Sequence, residues 1–370
     1  MPKERIVLFL PSLEGGGAEK VFTLLANWLC SQGHEVHMLL GAARGIWLKS
    51  LEPAVKLEDL GCPSMRGAPR RLRRYLRSTR PQVAFSALTH ANLALIMATR
   101  LFDRFPGRVV VQETQPLEPS RVLAWGQKEH LFMWLAKLLY PRADAVTAVS
   151  ASVAQSLGRV PSQVLANPMD LSALKANAGK QPGHPWFEQE GPPIVMAMGR
   201  LSREKGFDVL IKAFALARKQ HELRLLILGE GPERPRLQKL IAELGLEDAV
   251  DLPGFLENPY ACLSRAGLFV LSSLGEGFSL ALAEAMACGC NVVTTNCGQE
   301  PLNMVAQGHF GSVAPAGDAQ ALAQAMLERI RNPLPAETLR TRVRPYDLNQ
   351  IGPKYLELLL PEQGQSASDG

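Results

Sequence analysis

Two short stretches in the second half of the chain hold the residue types best suited to chemistry. The run Gly199-Arg200-Leu201-Ser202-Arg203-Glu204-Lys205-Gly206 sets Arg200 and Lys205 five residues apart between glycines. At the end of a strand, such a pair can reach one diphosphate; a solvated loop with a chance basic pair has the same look. The second run places Glu276 between Gly275 and Gly277, with Glu284 eight residues on. The pattern puts Glu276 on a loop and Glu284 on the helix that follows. Acids at that spacing are common by chance, so spacing alone assigns them no role. Near the N-terminus, Gly15-Gly16-Gly17-Ala18-Glu19 stands between an apolar run and an amphipathic one. Glycines let the backbone approach a ligand, and a helix N-terminus offers N–H groups to an anion. They are also what ordinary tight turns use. A dinucleotide fingerprint would need a third glycine where Lys20 stands, which argues against NAD.

These residues need elements to hold them. The first half alternates short apolar runs with amphipathic ones, as βαβ units do. Strands are expected at 6–10, 36–40, 83–86, 109–111, 145–149 and 164–166, with helices at 18–31, 92–102 and 131–139. A shift to Gly, Pro, His and Asn marks 175–193 as a linker. A second alternation follows, with strands at 194–198, 224–228, 250–252, 268–271 and 292–294. Its helices are expected at 207–220, 234–244, 280–287 and 320–331. The fold class is therefore α/β: two Rossmann-like, doubly wound parallel-sheet domains facing across a cleft, with ligands at strand C-termini. The expected domains are 1–174 and 194–345. A helix near 346–360 is expected to pack back on the first, and 363–370 to form a disordered tail.

The 370 residues, 46% of them hydrophobic, suffice for two buried cores. The net charge of +5 is unevenly spread. Residues 1–180 hold 23 Lys and Arg against 13 Asp and Glu, and the remainder 17 against 22. A basic first half suits an anionic partner. The six cysteines include no zinc-type pair. They read as reduced, mostly buried thiols, which fits the cytosol. The apolar run at 6–10, stopped by Pro11, is too short for a signal peptide's core, and no stretch nears the roughly 20 apolar residues of a membrane span.

In combination, the motifs resemble glycosyltransferase family four, the large retaining family with the GT-B fold. Glu276-Gly277-Phe278 with Glu284-Ala285-Met286-Ala287-Cys288-Gly289 looks like its E-x7-E motif. Gly199-Arg200-Leu201 with Lys205-Gly206 resembles its G-R-L-x-x-x-K-G segment. Gly229-Glu230-Gly231-Pro232-Glu233 and Val250-Asp251-Leu252-Pro253-Gly254-Phe255 look like its nucleotide-side loops. Gly15 to Glu19, Val149-Ser150 and Asn167-Pro168-Met169-Asp170 match landmarks of its first domain. The likeness spans roughly residues 5–358, with the motifs in order.

The resemblance implies a nucleotide-sugar donor as substrate, with no separate cofactor. Arg200 and Lys205 would neutralise the diphosphate, Glu284 would bind the ribose hydroxyls, and Glu276 would contact the transferred sugar. Gly199, Gly229, Gly231, Gly254, Phe255, Gly277, Phe278 and Ser279 would line the donor site. Gly15, Gly16 and Gly17 would lie under a phosphate or the acceptor. No D-x-D occurs, so no metal is expected. Two departures bear on sugar specificity. Glu113-Thr114-Gln115 stands where many relatives have Glu-His-Asn, and Asn303-Met304 falls where they carry Glu-Ile after the aligned proline, here Pro301. His90 is either a cleft residue or an ordinary loop histidine.

Seven arginines lie within residues 66–80, among them Arg70, Arg71, Arg73, Arg74 and Arg77. As a helix, this is a solvated face or a dock for anionic lipid headgroups or a lipid-diphosphate acceptor. Only Tyr75 interleaves the arginines, which disfavours nucleic acid. The resulting expectation is a peripheral enzyme on the cytoplasmic face of the membrane. It would add a hexose or N-acetylhexosamine to a lipid-linked surface polysaccharide or lipopolysaccharide, from a UDP-sugar rather than GDP-mannose. A nucleotide-sugar hydrolase or epimerase of the same fold, and a non-catalytic sugar-nucleotide scaffold, stay open.

Overall fold

Apolar runs such as Ile6-Val7-Leu8-Phe9-Leu10, each residue fully buried, are stable only where both faces of a sheet are covered, as in parallel α/β sheets. The structure, a computed structural model, describes residues 3–117 and 127–361. They form two units: one runs to Met169 and resumes at Leu348, and the other is Asp170–Asp347.

In the first unit the strands are β1 (Arg5–Leu10), β2 (Glu35–Leu40), β3 (Lys56–Asp59), β4 (Val83–Ala87), β5 (Arg108–Glu113), β6 (Ala145–Ala148) and β7 (Gln163–Val164). Its helices before residue 170 are α1 (Gly17–Ser31), α2 (Ala68–Thr79), α3 (Thr89–Ile96), α4 (Gln127–Leu139) and α5 (Ala151–Ser156). The seven strands pair in parallel in the order β3-β2-β1-β4-β5-β6-β7. The order reverses at β1 and β4, the switch point of the sheet. A short π-helical turn, Met97–Leu101, continues α3, and α3 packs against both α2 and α4.

The second unit contains α6 (Leu171–Ala178), β8 (Ile194–Met198), α7 (Phe207–Arg218), β9 (Arg224–Leu228), α8 (Arg234–Glu243), β10 (Val250–Gly254) and α9 (Pro259–Leu263). It continues with β11 (Leu268–Leu271), α10 (Leu280–Cys288), β12 (Val292–Thr295), α11 (Gln299–Met304), β13 (Ser312–Ala314), α12 (Ala319–Arg331) and α13 (Ala336–Val343). Its parallel sheet runs β10-β9-β8-β11-β12-β13, with the switch at β8 and β11. Phe214, Leu225, Ile227, Leu268, Val293 and Met326 are central to its core. The register between β9 and β10 shifts between Asp251 and Gly254. Pro253 lies in the shift, where a residue without an N–H is tolerated.

The chain then returns to the first unit as α14 (Leu348–Leu359). The Leu348 N–H donates to the Met169 carbonyl at 2.8 Å. Tyr355 is fully buried and its hydroxyl accepts from Gln112 Nε2 at 2.6 Å, while Arg108 Nε donates to the Leu358 carbonyl at 3.0 Å. The backbone of α14 comes so close to Trp28 that a Cβ on Gly352 would sit 2.7 Å from the indole.

Some expectations are corrected. The first unit breaks off at Met169, not at 174, and the segment 175–193 is folded rather than a linker. α6 packs on α9 and α10, and the buried His184 hydrogen-bonds Asp251 at 2.9 Å. β3 and β13 were not expected. β3 is a four-residue edge strand, exposed throughout and written Lys-Leu-Glu-Asp, so it carries no apolar run. The tail expected at 363–370 lies outside the described residues. Five cysteines are buried, Cys30 is half-buried, and all six are free thiols. No helix among the described residues is long and apolar enough to cross a membrane.

Candidate active site

The loops after β8 and β11 leave neighbouring strands at the switch point, where a doubly wound sheet binds its ligand. Backbone bonds tie them together. The Leu274 N–H donates to the Glu204 carbonyl at 2.7 Å, and Ser272 Oγ donates to the Lys205 carbonyl at 2.8 Å. The approach depends on Gly206, whose φ of +61° is left-handed and whose missing side chain leaves room for the Ser272 carbonyl.

Lys205 and Glu276 meet across this junction, Nζ to Oε1 at 2.6 Å. Their side chains are 24% and 9% exposed, so water screens the pair little. Burial opposes the Lys205 charge. The pull of Glu276, with Glu204 adding to it, outweighs burial and holds the ammonium above its ordinary range. The Cys297 thiol is pushed up to about 12 by burial and by Glu276, so it stays neutral. Ser273 Oγ also donates to Glu276 Oε1, at 2.8 Å. Among the described residues, Oε2 of Glu276 has no hydrogen-bond partner. Lysine carries three N–H donors, so contact with one carboxylate leaves Lys205 able to bind another anion. Arg200 is exposed, and its side chain makes no ion pair or hydrogen bond among the described residues. The loop therefore offers one preorganised cation and one open cation.

Glu284 lies in α10, buried at 5% exposure. Ser279 caps that helix, its Oγ accepting the Leu282 N–H at 3.3 Å. Phe278 is buried edge-on against Tyr346, with centroids 5.3 Å apart. Ser279 and Phe278 thus shape the loop from inside. Gly277 is buried beside them.

Gly199, Gly229, Gly231 and Gly254 cluster beyond β8, β9 and β10. The Gly199 N–H donates to Leu228, the Gly229 N–H to Gly254 at 2.7 Å, and the Leu201 N–H to Glu230 at 2.9 Å. Gly229 has φ +132°, and a Cβ there would collide with the Gly199 carbonyl. Phe255 follows, half exposed. The sequence reading missed Arg234, which braces this cluster. It forks onto Glu230 at 2.6 and 2.8 Å and donates to the Leu252 and Gly229 carbonyls at 2.9 and 3.3 Å. The i, i+4 spacing of Glu230 and Arg234 was the available signal.

In the first unit, the turn after β1 does not present free amides at Gly15 and Gly16. Glu19, in the first turn of α1, accepts both through Oε2, at 2.6 and 3.0 Å. The expected anion position carries the protein's own carboxylate, and Gly17 opens the helix. His90 is exposed in the first turn of α3, and partial desolvation lowers its pKa. Glu113 ends β5, fully buried. It accepts from the Tyr140 hydroxyl at 2.7 Å, Thr89 Oγ1 at 3.0 Å and the Thr114 N–H at 3.0 Å. Burial still raises its pKa.

The arginine stretch forms α2, but not as one open patch. Arg77 holds Asp103 bidentately at 2.6 and 2.9 Å, and Arg73 approaches the same carboxylate at 3.5 Å. Arg77 draws the pKa of Asp103 down to about 2. Arg71 donates to the carbonyls of Leu60 and Gly61. Of the five arginines expected at a membrane, Arg70 and Arg74 have no side-chain partner among the described residues. Those residues also contain no group of three or more His, Cys, Asp or Glu placed to hold a metal ion.

Comparison with known proteins agrees with the fold and motifs. The model "Glycosyltransferase Family 4" matches residues 15–173 and "Glycosyl transferases group 1" matches 184–346. Between them they account for most of the chain, which belongs to the group 1, family 4 glycosyltransferases and is an enzyme of that class. The N-acetylgalactosamine-N,N'-diacetylbacillosaminyl-diphospho-undecaprenol 4-alpha-N-acetylgalactosaminyltransferase of Campylobacter jejuni is 28% identical, over 96% of this chain and 100% of that protein. The lipopolysaccharide core biosynthesis glycosyltransferase LpsE of Rhizobium meliloti is 25% identical, over 93% and 96%. Among solved structures, Anabaena HepE in complex with UDP and glucose superposes with a TM-score of 0.79. It is 20% identical over 96% of this chain and 99% of that one. Both units thus have the Rossmann-like form of the GT-B fold.

Proposed function

We propose that this enzyme moves a hexose or N-acetylhexosamine from a UDP-sugar to a lipid-linked surface-glycan acceptor at the cytoplasmic face of the membrane, without a metal ion and with retention. The observation that carries the donor reading is the Lys205–Glu276 pair beside the open Arg200 at the switch point. In glycosyl transfer the leaving diphosphate gains charge in the transition state, so fixed cations there act where they help the rate most. Lys205 is held in place by Glu276 and has donors to spare, and Arg200 adds a second cation. Together they would take the part that a divalent cation plays in another glycosyltransferase fold. Oε2 of Glu276 would take a hydroxyl of the transferred sugar, and Glu284 would bind the ribose hydroxyls.

A lipid-linked acceptor is supported by the names of the Campylobacter and Rhizobium relatives, and a UDP donor by the UDP bound to HepE. Retention is the stereochemistry the family resemblance implies. The test is calorimetry across nucleotide sugars, then transfer to an undecaprenyl-diphosphate-linked glycan with and without EDTA, the product anomer being read by NMR. UDP-sugar binding, EDTA-insensitive initial rates and an axial product are expected. Hydrolysis of the donor without transfer, or loss of rate in EDTA with rescue by Mn²⁺, would overturn the reading.

A further inference from the structure

α4 exposes several large apolar side chains. Leu131, Phe132, Trp134 and Leu138 are 55%, 45%, 60% and 47% exposed. Leu131, Trp134 and Leu138 follow at i, i+3 and i+7, one stripe of a helix, with Phe132 exposed beside it and Ala136 buried on the opposite side. Leu101 and Phe102, at the end of the turn that continues α3, are also exposed, at 44% and 50%. An exposed apolar stripe like that of α4 marks an interaction surface rather than ordinary solvent-facing protein.

The surrounding charge identifies the partner. Two acids close to these residues in the chain are both spent. Asp103, next to Phe102, is held by Arg77 and Arg73, and Asp144, just past α4, by Arg100. Arg70 and Arg74 on α2, Arg104 beside Asp103, and Lys137 and Arg142 at the end of α4 are exposed, with no acid partner among the described residues. The composition is therefore apolar and aromatic at the centre, with exposed cations around it and with Asp103 and Asp144 neutralised. An anionic lipid surface complements both parts, because apolar residues enter the acyl boundary while cations meet headgroups. Indole also favours the headgroup level.

We propose that α4 is the membrane-insertion element of this enzyme, with Leu131, Phe132, Trp134 and Leu138 entering an anionic bilayer and the cations of α2 and α4 meeting lipid phosphates. This rests on the membrane-side part of the function proposed above and changes its physics. With Arg73 and Arg77 paired to Asp103 and Arg71 donating to backbone carbonyls, electrostatic attraction from α2 alone is weaker than its arginine count suggests. Apolar insertion supplies the remainder.

The test uses the full chain and vesicles of phosphatidylcholine with and without phosphatidylglycerol. Binding should need the anionic lipid but persist in part at raised salt, and Trp fluorescence should shift to the blue. The Leu131→Gln, Trp134→Gln double variant should lose at least about tenfold in partition coefficient, since burying one large apolar side chain is worth a decade or more. It should also lose the blue shift. Polar replacements at exposed positions leave the fold intact, and transfer to a short-chain, water-soluble acceptor should be unchanged. Asp103→Asn, which releases Arg73 and Arg77, should strengthen binding in a salt-sensitive way. Vesicle binding unaltered in the double variant would overturn the proposal. So would a wild-type dimer in the absence of vesicles that the double variant converts to monomer, because the face would then be a protein interface. If vesicle binding is lost while soluble-acceptor transfer persists, the insertion role is supported. If transfer is absent while vesicle binding follows the expected pattern, the proposed function fails and this inference survives.

Discussion

The glycine-rich turns after β1 and β8 occupy equivalent places, each leaving the first strand of its unit at a switch point, but they treat charge oppositely. In the first unit, Glu19 closes the turn by accepting the Gly15 and Gly16 amides. In the second, the turn carries Arg200 without a partner among the described residues and Lys205 held by an acid that still has an open oxygen. The nearby buried acids differ in the same sense. Glu113 is surrounded by neutral hydroxyls and amides, whereas Glu276 faces an ammonium. A glycine turn at a switch point is thus a permissive frame, and the side chains reaching into it decide whether it is filled or left receptive.

The largest test of this contrast is Lys205→Ala. It removes a charge-assisted contact worth about 1.5–3 kcal/mol and leaves Glu276 buried without its counter-ion. kcat/KM should fall by about a hundredfold or more, and near-normal turnover would show that the second turn is not the receptive one. Arg200→Ala leaves no acid stranded, so a smaller fall of about tenfold is expected from the same contact energy. An Arg200 effect larger than that of Lys205 would invert the proposed ranking. Glu19→Ala should act on stability instead. Losing the cap costs about 1 kcal/mol, or a drop of about 2–4 °C in Tm, with steady-state donor kinetics nearly unchanged. A large rise in donor KM would mean that the first turn also takes part in donor binding.

The smallest effect is a pH slope. Burial raises the folded pKa of Glu113, so the folded chain holds that proton more tightly than the unfolded chain does. Stability then falls as pH rises from the unfolded carboxylate value, about 4.3, toward the folded one. Glu113→Gln should flatten this part of the Tm–pH curve. An unchanged slope would mean that the hydrogen bonds to Glu113 fully compensate its burial.

The sequence made most of this frame legible, for identifiable reasons. β1, β8 and β9 carry unbroken apolar runs because both their faces are covered. β3 was illegible because an exposed edge strand needs no such run. The motif residues of the second unit could be located by type and spacing. Their pairing could not, since Lys205 and Glu276 are 71 residues apart and meet only through the strand order. Arg77 and Asp103 were hidden in the same way, and the arginines of α2 consequently read as a single patch. The Glu19 cap was within reach of the sequence, as an acid three residues after Gly16 is a helix-start signal. The helix expected at 131–139 carried no sign of an exposed apolar face, because Leu131-Phe132-Met133-Trp134-Leu135 does not itself say which side faces outward.

The return of the chain as α14 has a consequence for the order of events during translation. The second unit is one continuous run, 170–347, and all of its strands have been synthesised before α14 emerges. The first unit begins earlier but is completed later. Trp28 and Gln112 have their native neighbours only once Gly352 and Tyr355 have left the ribosome. The nascent protein therefore passes through an interval in which its older half has an open flank while its younger half is already whole, and arrest of synthesis near residue 347 would release the chain in that state.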